Sequence, residues 1–176
     1  ISLGLVGSEM CIRDRRLANT GSLASSSIIT FTTASSRLEL GTDTAFTTLP
    51  LISGGSGAFT YTLVSDRATT GAGLTHQLGA MNGGNVTFSI ISGTNVTSGT
   101  AGITVSSSNM TSGSAGTTII NPTTATLTIT GGVTSSTNNF ARTLQLDGTG
   151  TGHSIGGVIT QSVASALSLT KSNTST

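Results

Sequence analysis

The chain has 176 residues, a formal net charge of +1 and a charged fraction of only 7%. Thr, Ser and Gly number 35, 27 and 24 and together make up about half of the chain. The few basic residues form no cluster, which argues against nucleic acid as a partner, because phosphate binding needs grouped Lys and Arg. Short clusters of Ile, Val and Leu recur, and low charge with a Thr- and Val-rich composition favours an ordered β protein over a disordered one.

The first segment of the chain resembles a translated sequencing adapter. Residues 5–15 read Leu-Val-Gly-Ser-Glu-Met-Cys-Ile-Arg-Asp-Arg, which matches one reading frame of the transposase mosaic-end adapter used in library preparation. We therefore interpret residues 1–15 as an adapter-derived artefact and leave them out of fold and function reasoning. We expect this stretch to be loosely attached. Its Cys11 is the only cysteine, so the remainder can hold neither a disulfide framework nor a Cys-ligated zinc site.

Beyond residue 15, apolar residues alternate with Thr or Ser over short runs that stop at Gly or Asn, which is typical of strands and turns. The predicted strands are Ile28–Thr33, Arg37–Leu40, Phe46–Ile52, Ala58–Val64, Val86–Ile91, Gly102–Val105, Thr117–Ile120, Ala125–Thr130, Thr143–Leu146, Gly157–Thr160 and Ala166–Thr170. The predicted turns are Gly54-Gly55, Asn82-Gly83-Gly84, Ser92-Gly93, Gly131-Gly132 and Asp147-Gly148. Residues 71–81 are predicted to form a short helical turn or a loop, and Pro50 to lie at an edge or bend.

The spacing of these strands favours a right-handed parallel β-solenoid, or β-helix. Leu127, Leu144 and Leu167 follow one another at intervals of about 17 and about 23 residues, which suits coils stacked on one another. At about 20 residues per coil the chain would contain about eight coils and form a rod of about 40 Å. The alternative is a β-sandwich, which the closer spacing of Phe46 and Ala58 fits nearly as well.

Period-2 alternation also predicts which side chains point into the solenoid between residues 85 and 170. The predicted inward residues are Val86, Phe88, Ile90, Val105, Ile120, Leu127, Ile129, Leu144, Leu146, Ile159, Leu167 and Leu169.

One C-terminal stretch is similar to a known family. Residues 142–160 read Arg-Thr-Leu-Gln-Leu-Asp-Gly-Thr-Gly-Thr-Gly-His-Ser-Ile-Gly-Gly-Val-Ile-Thr, and residues 166–172 read Ala-Leu-Ser-Leu-Thr-Lys-Ser. They resemble the autotransporter-associated β-strand repeat family, in which a Leu-alternating strand, a Gly/Thr-rich turn and an I-x-G-x-I segment precede L-x-K-x-G. Weaker similarity reaches back to about residue 85. This chain has Asn173 where the family usually has Gly.

The resemblance divides the chain after the adapter into two intervals. Residues 85–176 are expected to be a solenoid repeat segment truncated at its C-terminus, continuing with Trp or Leu near position 177. Residues 16–84 match only in composition and form a Thr/Ser/Gly-rich β region that could supply early coils. The resemblance implies a secreted or surface-exposed bacterial solenoid that is structural or adhesive and has no catalytic residues to carry over.

The residues that could carry chemistry are few. His76 and His153 have no Cys, Asp or Glu at metal-ligand spacing. Asp147, His153 and Ser154 could be imagined as a triad, but a triad is defined by geometry and we interpret them as a polar turn. Glu39 and Asp43 are interpreted as a solvated pair rather than catalytic carboxylates.

Two glycine-rich segments also fall short of ligand sites. The Gly-Thr-Gly-Thr-Gly run at residues 148–152 lacks the spacing and the following helix of a phosphate loop. The segment 54–59 resembles a calcium β-roll motif but has Ala58 where the ligand Asp should stand.

The sequence thus predicts a non-catalytic structural or adhesive segment of a large exported bacterial surface protein, at the extracellular or outer-membrane surface. The alternative is a scaffold fragment of a glycan-active β-helix enzyme whose catalytic residues lie elsewhere. We predict no catalytic, cofactor-binding or metal-binding residue and no cofactor. The expected partners are extracellular glycans or cell-surface components, with neither nucleic acid nor a membrane-spanning segment in this chain.

Overall fold

The computed structural model describes residues 14–22, 24, 26–47, 51–111, 114–135, 140–161 and 166–176. Every regular element in these ranges is a β-strand. The described residues contain no helix that is long and apolar enough to cross a membrane. In chain order the strands are β1 (Asp14–Leu17), β2 (Ile28–Phe31), β3 (Arg37–Gly41), β4 (Leu51–Asp66), β5 (Gly71–Ala72), β6 (Thr75–Leu78), β7 (Met81–Ser92), β8 (Val96–Ser98), β9 (Gly102–Val105), β10 (Ser108–Met110), β11 (Gly116–Pro122), β12 (Thr126–Ile129), β13 (Val133–Ser135), β14 (Arg142–Leu146), β15 (Ser154–Ile155), β16 (Ile159–Thr160) and β17 (Leu167–Lys171).

The strands stack as a parallel β-solenoid of about five turns, so the predicted fold class is confirmed. Each strand pairs in parallel with the equivalent strand of the next coil, and the coils have three faces. Face I contains β1, β3, β11, β14, β17 and the second halves of β4 and β7. Face II contains β2, β10, β13, β16 and the first halves of β4 and β7. Face III contains β6, β9, β12 and β15, while β5 pairs with β8. The described pairs are all parallel, which is the opposite of the antiparallel pairing of a sandwich.

The coils are longer than predicted. Asn82 and Asn109, which pair one coil apart on face II, are separated by 27 positions in the chain. The interval between Leu127 and Leu144 does not mark a coil, because Leu127 lies on face III and Leu144 on face I. About five turns at about 4.8 Å each give a height of about 24 Å, so the predictions of eight coils and a 40 Å rod were wrong.

The interior is a set of apolar columns, one residue per coil. Eight of the twelve predicted inward residues are buried: Val86, Phe88, Ile90, Val105, Ile120, Leu127, Ile129 and Leu144. Leu146, Ile159 and Leu167 are partly buried against the same core. Leu169 is 57% exposed, because its column ends on β17, where no described strand stacks above it.

Two predicted turns lie within long strands, and an aromatic stack explains their glycines. The rings of Phe31 and Tyr61 stack with centroids 4.8 Å apart, and Phe88 lies 6.0 Å beyond Tyr61. A Cβ at Gly54 would lie 2.7 Å from the Tyr61 ring, and one at Gly83 would lie 2.9 Å from the Phe88 ring. These glycines therefore make room for aromatic side chains on face I and do not reverse the chain.

Several shorter elements were also mispredicted. Residues 71–81, predicted as a helical turn or loop, contain β5, β6 and the start of β7. The short strands β8, β10, β13 and β15 were not predicted. Pro50 lies outside the described residues, and the strand predicted from Phe46 begins, as β4, only at Leu51.

The described residues between 14 and 84 belong to the same stack as the described residues that follow them. β1 pairs with β3, β3 with β4, and β4 with β7, all in parallel. The N-terminal stretch predicted to be loosely attached lies outside the described residues as far as residue 13. Its last two residues, Asp14 and Arg15, pair with Arg37 and Leu38, so that prediction was wrong for these two positions.

We expect Ile103→Ala to lower the free energy of unfolding by about 2–5 kcal/mol. Ile103 is fully buried between His76 and Leu127 on face III, so the truncation leaves a cavity that the stacked coils cannot fill. Urea denaturation followed by circular dichroism would measure the change. The neighbouring Thr104 points to the opposite side of β9, and Thr104→Ala should change stability by less than about 0.5 kcal/mol. Equal effects of the two substitutions would contradict the assigned register.

We expect Gly54→Ala to destabilise the protein by about 1–3 kcal/mol, because the added methyl group would overlap the Tyr61 ring. In a Tyr61→Leu background, which removes the ring, the same substitution should cost much less. A double-mutant cycle measured by urea denaturation gives the coupling between the two sites. Additive effects would show that the glycine is not required by the ring.

Candidate functional site

Glu39 is a buried ion-pair partner and not a solvated carboxylate. Its Oε1 lies 3.1 Å from Nη1 of Arg16 and its Oε2 lies 2.8 Å from Nη1 of Arg37, while its side chain is only 11% exposed. β1 and β3 bring the three residues together, because Arg16 pairs directly with Glu39 in the ladder. The prediction of a solvated pair was wrong for Glu39, whose two oxygens are both occupied by guanidinium groups.

Asp43 lies apart from Glu39 in a second ion pair. Its Oδ1 lies 3.2 Å from Nη2 of Arg67, and it accepts hydrogen bonds from the backbone N–H and the hydroxyl of Thr69. These hydrogen bonds, with the charge of Arg67, lower the pKa of Asp43. Glu39 and Asp43 therefore belong to two separate ion-pair groups with different arginines.

Asp66 is a structural residue at the corner where β4 ends. It is 2% exposed, and its Oδ1 accepts the backbone N–H of Asn95 at 3.0 Å. A Cβ at Gly93 would lie 2.0 Å from the Asp66 side chain, so glycine is required where the next coil passes over this carboxylate.

The residues of the imagined triad border one cavity at the C-terminal end of the stack, but the hydrogen bonds of Asp147 and His153 go to other groups. His153 and Ser154 are adjacent at the start of β15, and they therefore point to opposite sides of the sheet. His153 is partly buried and Ser154 is exposed. The carboxylate of Asp147 accepts hydrogen bonds from the backbone N–H of Gly148 and from the side chain of Asn173. The interpretation of a polar turn therefore holds for Asp147, while His153 contributes to the interior.

The Gly-Thr-Gly-Thr-Gly run forms the corner between faces I and III. Gly148 has a φ of +92°, and a Cβ there would lie 2.0 Å from the carbonyl oxygen of Pro122 one coil earlier. The run leads into strand β15 and not into a helix. A shallow cleft of about 340 Å³ follows this corner across three coils, and its lining carries no charge. It is lined by Gly99, Thr100, Thr123, Thr124, Ala125, Thr126, Thr149, Gly150 and Thr151.

A second cavity, of about 320 Å³, lies at the C-terminal end of the stack. Leu127, Ile129 and Leu146 form its apolar wall, and Asp147, His153 and Lys171 also line it. The Nζ atom of Lys171 donates hydrogen bonds to the carbonyl oxygens of Ser172 and Asn173. This cavity is therefore the end of the apolar interior with three ionisable groups around it.

Both histidines lie in one inward column of face III, which runs through Phe46, His76, Ile103, Leu127 and His153. Nδ1 of His76 accepts the backbone N–H of Phe46 at 3.2 Å, and Nδ1 of His153 accepts that of Leu127 at 3.0 Å. In each case the acceptor lies one coil further along the chain than the donor. At the start of the face III strand, each imidazole thus accepts a backbone N–H that would otherwise be bound by a backbone carbonyl of the next coil.

Burial lowers the pKa of both histidines. For His76 the desolvation outweighs the carbonyl and carboxylate of Asp66, which favour the charged form. For His153 the desolvation acts together with the positive charge of Lys171, against the Gly150 carbonyl. This role of His76 was not predicted, because residues 71–81 were predicted to form a short helical turn or a loop. The alternation in Thr75-His76-Gln77-Leu78 does predict His76 on the side of Leu78.

The described residues contain no group of three metal-ligating side chains. Comparison with known proteins adds no further assignment, since no family model, curated protein sequence or solved structure matches the chain.

We expect Glu39→Gln to lower stability by about 1 kcal/mol at low salt, because both arginines lose their charged partner but remain partly solvated. Raising the NaCl concentration to about 1 M should weaken the wild-type ion pairs and reduce the difference between the two proteins. Urea denaturation at several salt concentrations would test this. A difference that does not change with salt would indicate that Glu39 acts through packing and not charge.

Proposed function

We propose that the chain is a non-catalytic structural segment, part of a stalk or adhesive surface, in a large exported bacterial surface protein. The observation that carries the proposal is the continuous stack of parallel coils. Its interior is filled by apolar columns and its outer side chains are mostly Thr, Ser and Asn. Such a stack resists bending, because the described strands on all three faces are hydrogen-bonded to those of the neighbouring coils.

The acidic residues support a structural role over a catalytic one. Beyond the adapter-like segment there are four, and each has a structural partner: Glu39 and Asp43 bind arginines, Asp66 binds a backbone N–H, and Asp147 binds a backbone N–H and Asn173. Hydrolysis of a glycosidic bond typically needs two carboxyl groups about 5–9.5 Å apart with space for the sugar between them. The resemblance of residues 142–172 to autotransporter-associated repeats supports the exported, surface-exposed setting.

The alternative, a scaffold for a glycan-active enzyme, has one observation in its favour. Asp147, His153 and Lys171 surround the 320 Å³ cavity at the end of the stack, and ionisable groups around a cavity are a common feature of catalytic sites. Two of these groups are engaged elsewhere, since Asp147 binds Asn173 and Lys171 binds backbone carbonyls.

Incubation of the purified chain with neutral and acidic polysaccharides tests whether the end cavity is itself a catalytic site. We expect no release of new reducing ends or unsaturated products, and we expect the chain to resist trypsin at arginines inside the ladders, such as Arg37 and Arg142. Ile103→Asp, which places a charge in the core, should make the chain sensitive to trypsin and serves as the control. Product release by the wild type that is lost in Asp147→Asn would overturn the structural assignment in favour of the enzyme.

A further inference from the structure

We propose that the two histidines make face III of the solenoid sensitive to acid. Each neutral imidazole accepts a backbone N–H from the preceding coil, and protonation removes that acceptor. His76 and His153 are the only histidines of the chain, and both occupy the same inward column and make the same contact. The inference concerns the stability of the stack and does not depend on the proposed function.

The hydrogen bonds define the tautomer of His76. Because its Nδ1 accepts the Phe46 N–H, the proton lies on Nε2, which donates to the carbonyl oxygen of Asp66 at 3.1 Å. The backbone N–H of Gln77 in turn donates to the Phe46 carbonyl oxygen at 2.8 Å. His76 is fully buried and its ring lies 5.5 Å from that of Phe46. A second proton on this ring would leave the Phe46 N–H without an acceptor and place a cation in the core.

His153 makes the equivalent contact at the end of the stack. Its Nδ1 accepts the Leu127 N–H, and its Nε2 is buried beside Gly150 without a hydrogen-bond partner among the described residues. Leu127 lies one coil before His153 and is itself 2% exposed. The same change of protonation therefore removes a backbone acceptor at two levels of face III.

Burial of the two rings sets the direction of the effect, and the charged groups that face them oppose or reinforce it. Asp66 is the acidic group beside His76, and it favours protonation, but burial of the ring outweighs it and the pKa of His76 is lowered. Asp147 and Lys171 share the end cavity with His153, and burial together with Lys171 lowers its pKa as well. Around Ile103, between the two histidines, the column is apolar.

The sign of the pH dependence follows from these shifts. In the unfolded chain a histidine has a pKa of about 6.5, and in the folded chain both values are lower. Below about pH 6.5 the unfolded state therefore binds more protons than the folded state, and stability falls as the pH falls. Aspartate and glutamate titrate near pH 4 in unfolded chains, so the interval from pH 7 to 5 reports mainly on the histidines.

The test uses the full chain and its His76→Asn and His153→Asn variants, singly and together. Asn Oδ1 stands the same number of bonds from Cα as His Nδ1, so it can accept the same N–H, but it does not titrate. Urea denaturation at intervals from pH 8 to 5 measures stability. We expect the unfolding equilibrium constant of the wild type to rise between pH 7 and 5, by up to tenfold per pH unit for each proton taken up. The double variant should show little change over the same range.

A second measurement uses the wild type alone, so it does not depend on whether the variants fold. Hydrogen exchange followed by NMR on the wild type, corrected for the intrinsic effect of pH, should show the Phe46 and Leu127 amides losing protection as the pH falls from 7 to 5. The Ile103 amide, which has no histidine acceptor, should lose only the protection that follows from the lower global stability, and therefore less than the Phe46 and Leu127 amides. A double variant with the wild-type pH dependence, or Phe46 and Leu127 amides whose protection does not change, would overturn the proposal.

Discussion

The parallel ladder between successive coils is the interaction on which the rest of this structure depends. No described strand has a hairpin partner, and each finds its backbone partners in a neighbouring coil, distant in sequence. Since stacked strands are separated by about 4.8 Å, equivalent side chains must lie directly over one another. The interior therefore consists of columns in which each residue mainly contacts its counterparts above and below, as in Leu38, Leu63 and Ile90.

Because the coils stack directly on one another, the cross-section of the interior is constant. A large side chain on one face therefore requires a small one on the face opposite. Where Tyr61 and Phe88 project inward from face I, the facing positions on face II are Gly54 and Gly83, with no room for a Cβ. The register of β4 and β7 shifts on both sides of Ser56, in the segment between the glycine and the aromatic residue. The glycines on face II are thus required by the large rings on face I, and the two faces have to be considered together.

This dependence explains which predictions succeeded. Alternation within a strand is local, so it correctly placed Leu127 and Ile129 in the interior. Coil length is not local, because it depends on where the corners fall, and strands as short as β10, β13 and β15 contain too few residues to show alternation. The pairing of Arg16 with Glu39 and the place of His76 one coil after Phe46 both follow from the coil register. No spacing rule within the sequence could have supplied that register.

The outer surface uses the same stacking to satisfy polar groups without charge. On face II one outward column contains only hydroxyl and amide side chains, in the order Thr30, Ser53, Asn82, Asn109, Thr134 and Thr160. Within it Nδ2 of Asn109 donates to Oδ1 of Asn82 at 2.7 Å, and the hydroxyls of Thr134 and Thr160 lie 3.3 Å apart. Residues of one column are thus each other's partners, as they are in the core.

A surface of this kind explains how a chain with 7% charged residues presents a polar exterior. Its polar side chains are small, and several of them form hydrogen bonds with side chains of neighbouring coils. Few are therefore available to bind one ligand together. An extended, chemically uniform surface suits a structural or adhesive segment better than an active site, which needs unlike groups gathered at one point. The interior, by contrast, contains two titratable groups, because His76 and His153 occupy the column in which the other coils have Ile103 and Leu127. The response of this solenoid to its surroundings is therefore expected in its interior column and not on its surface.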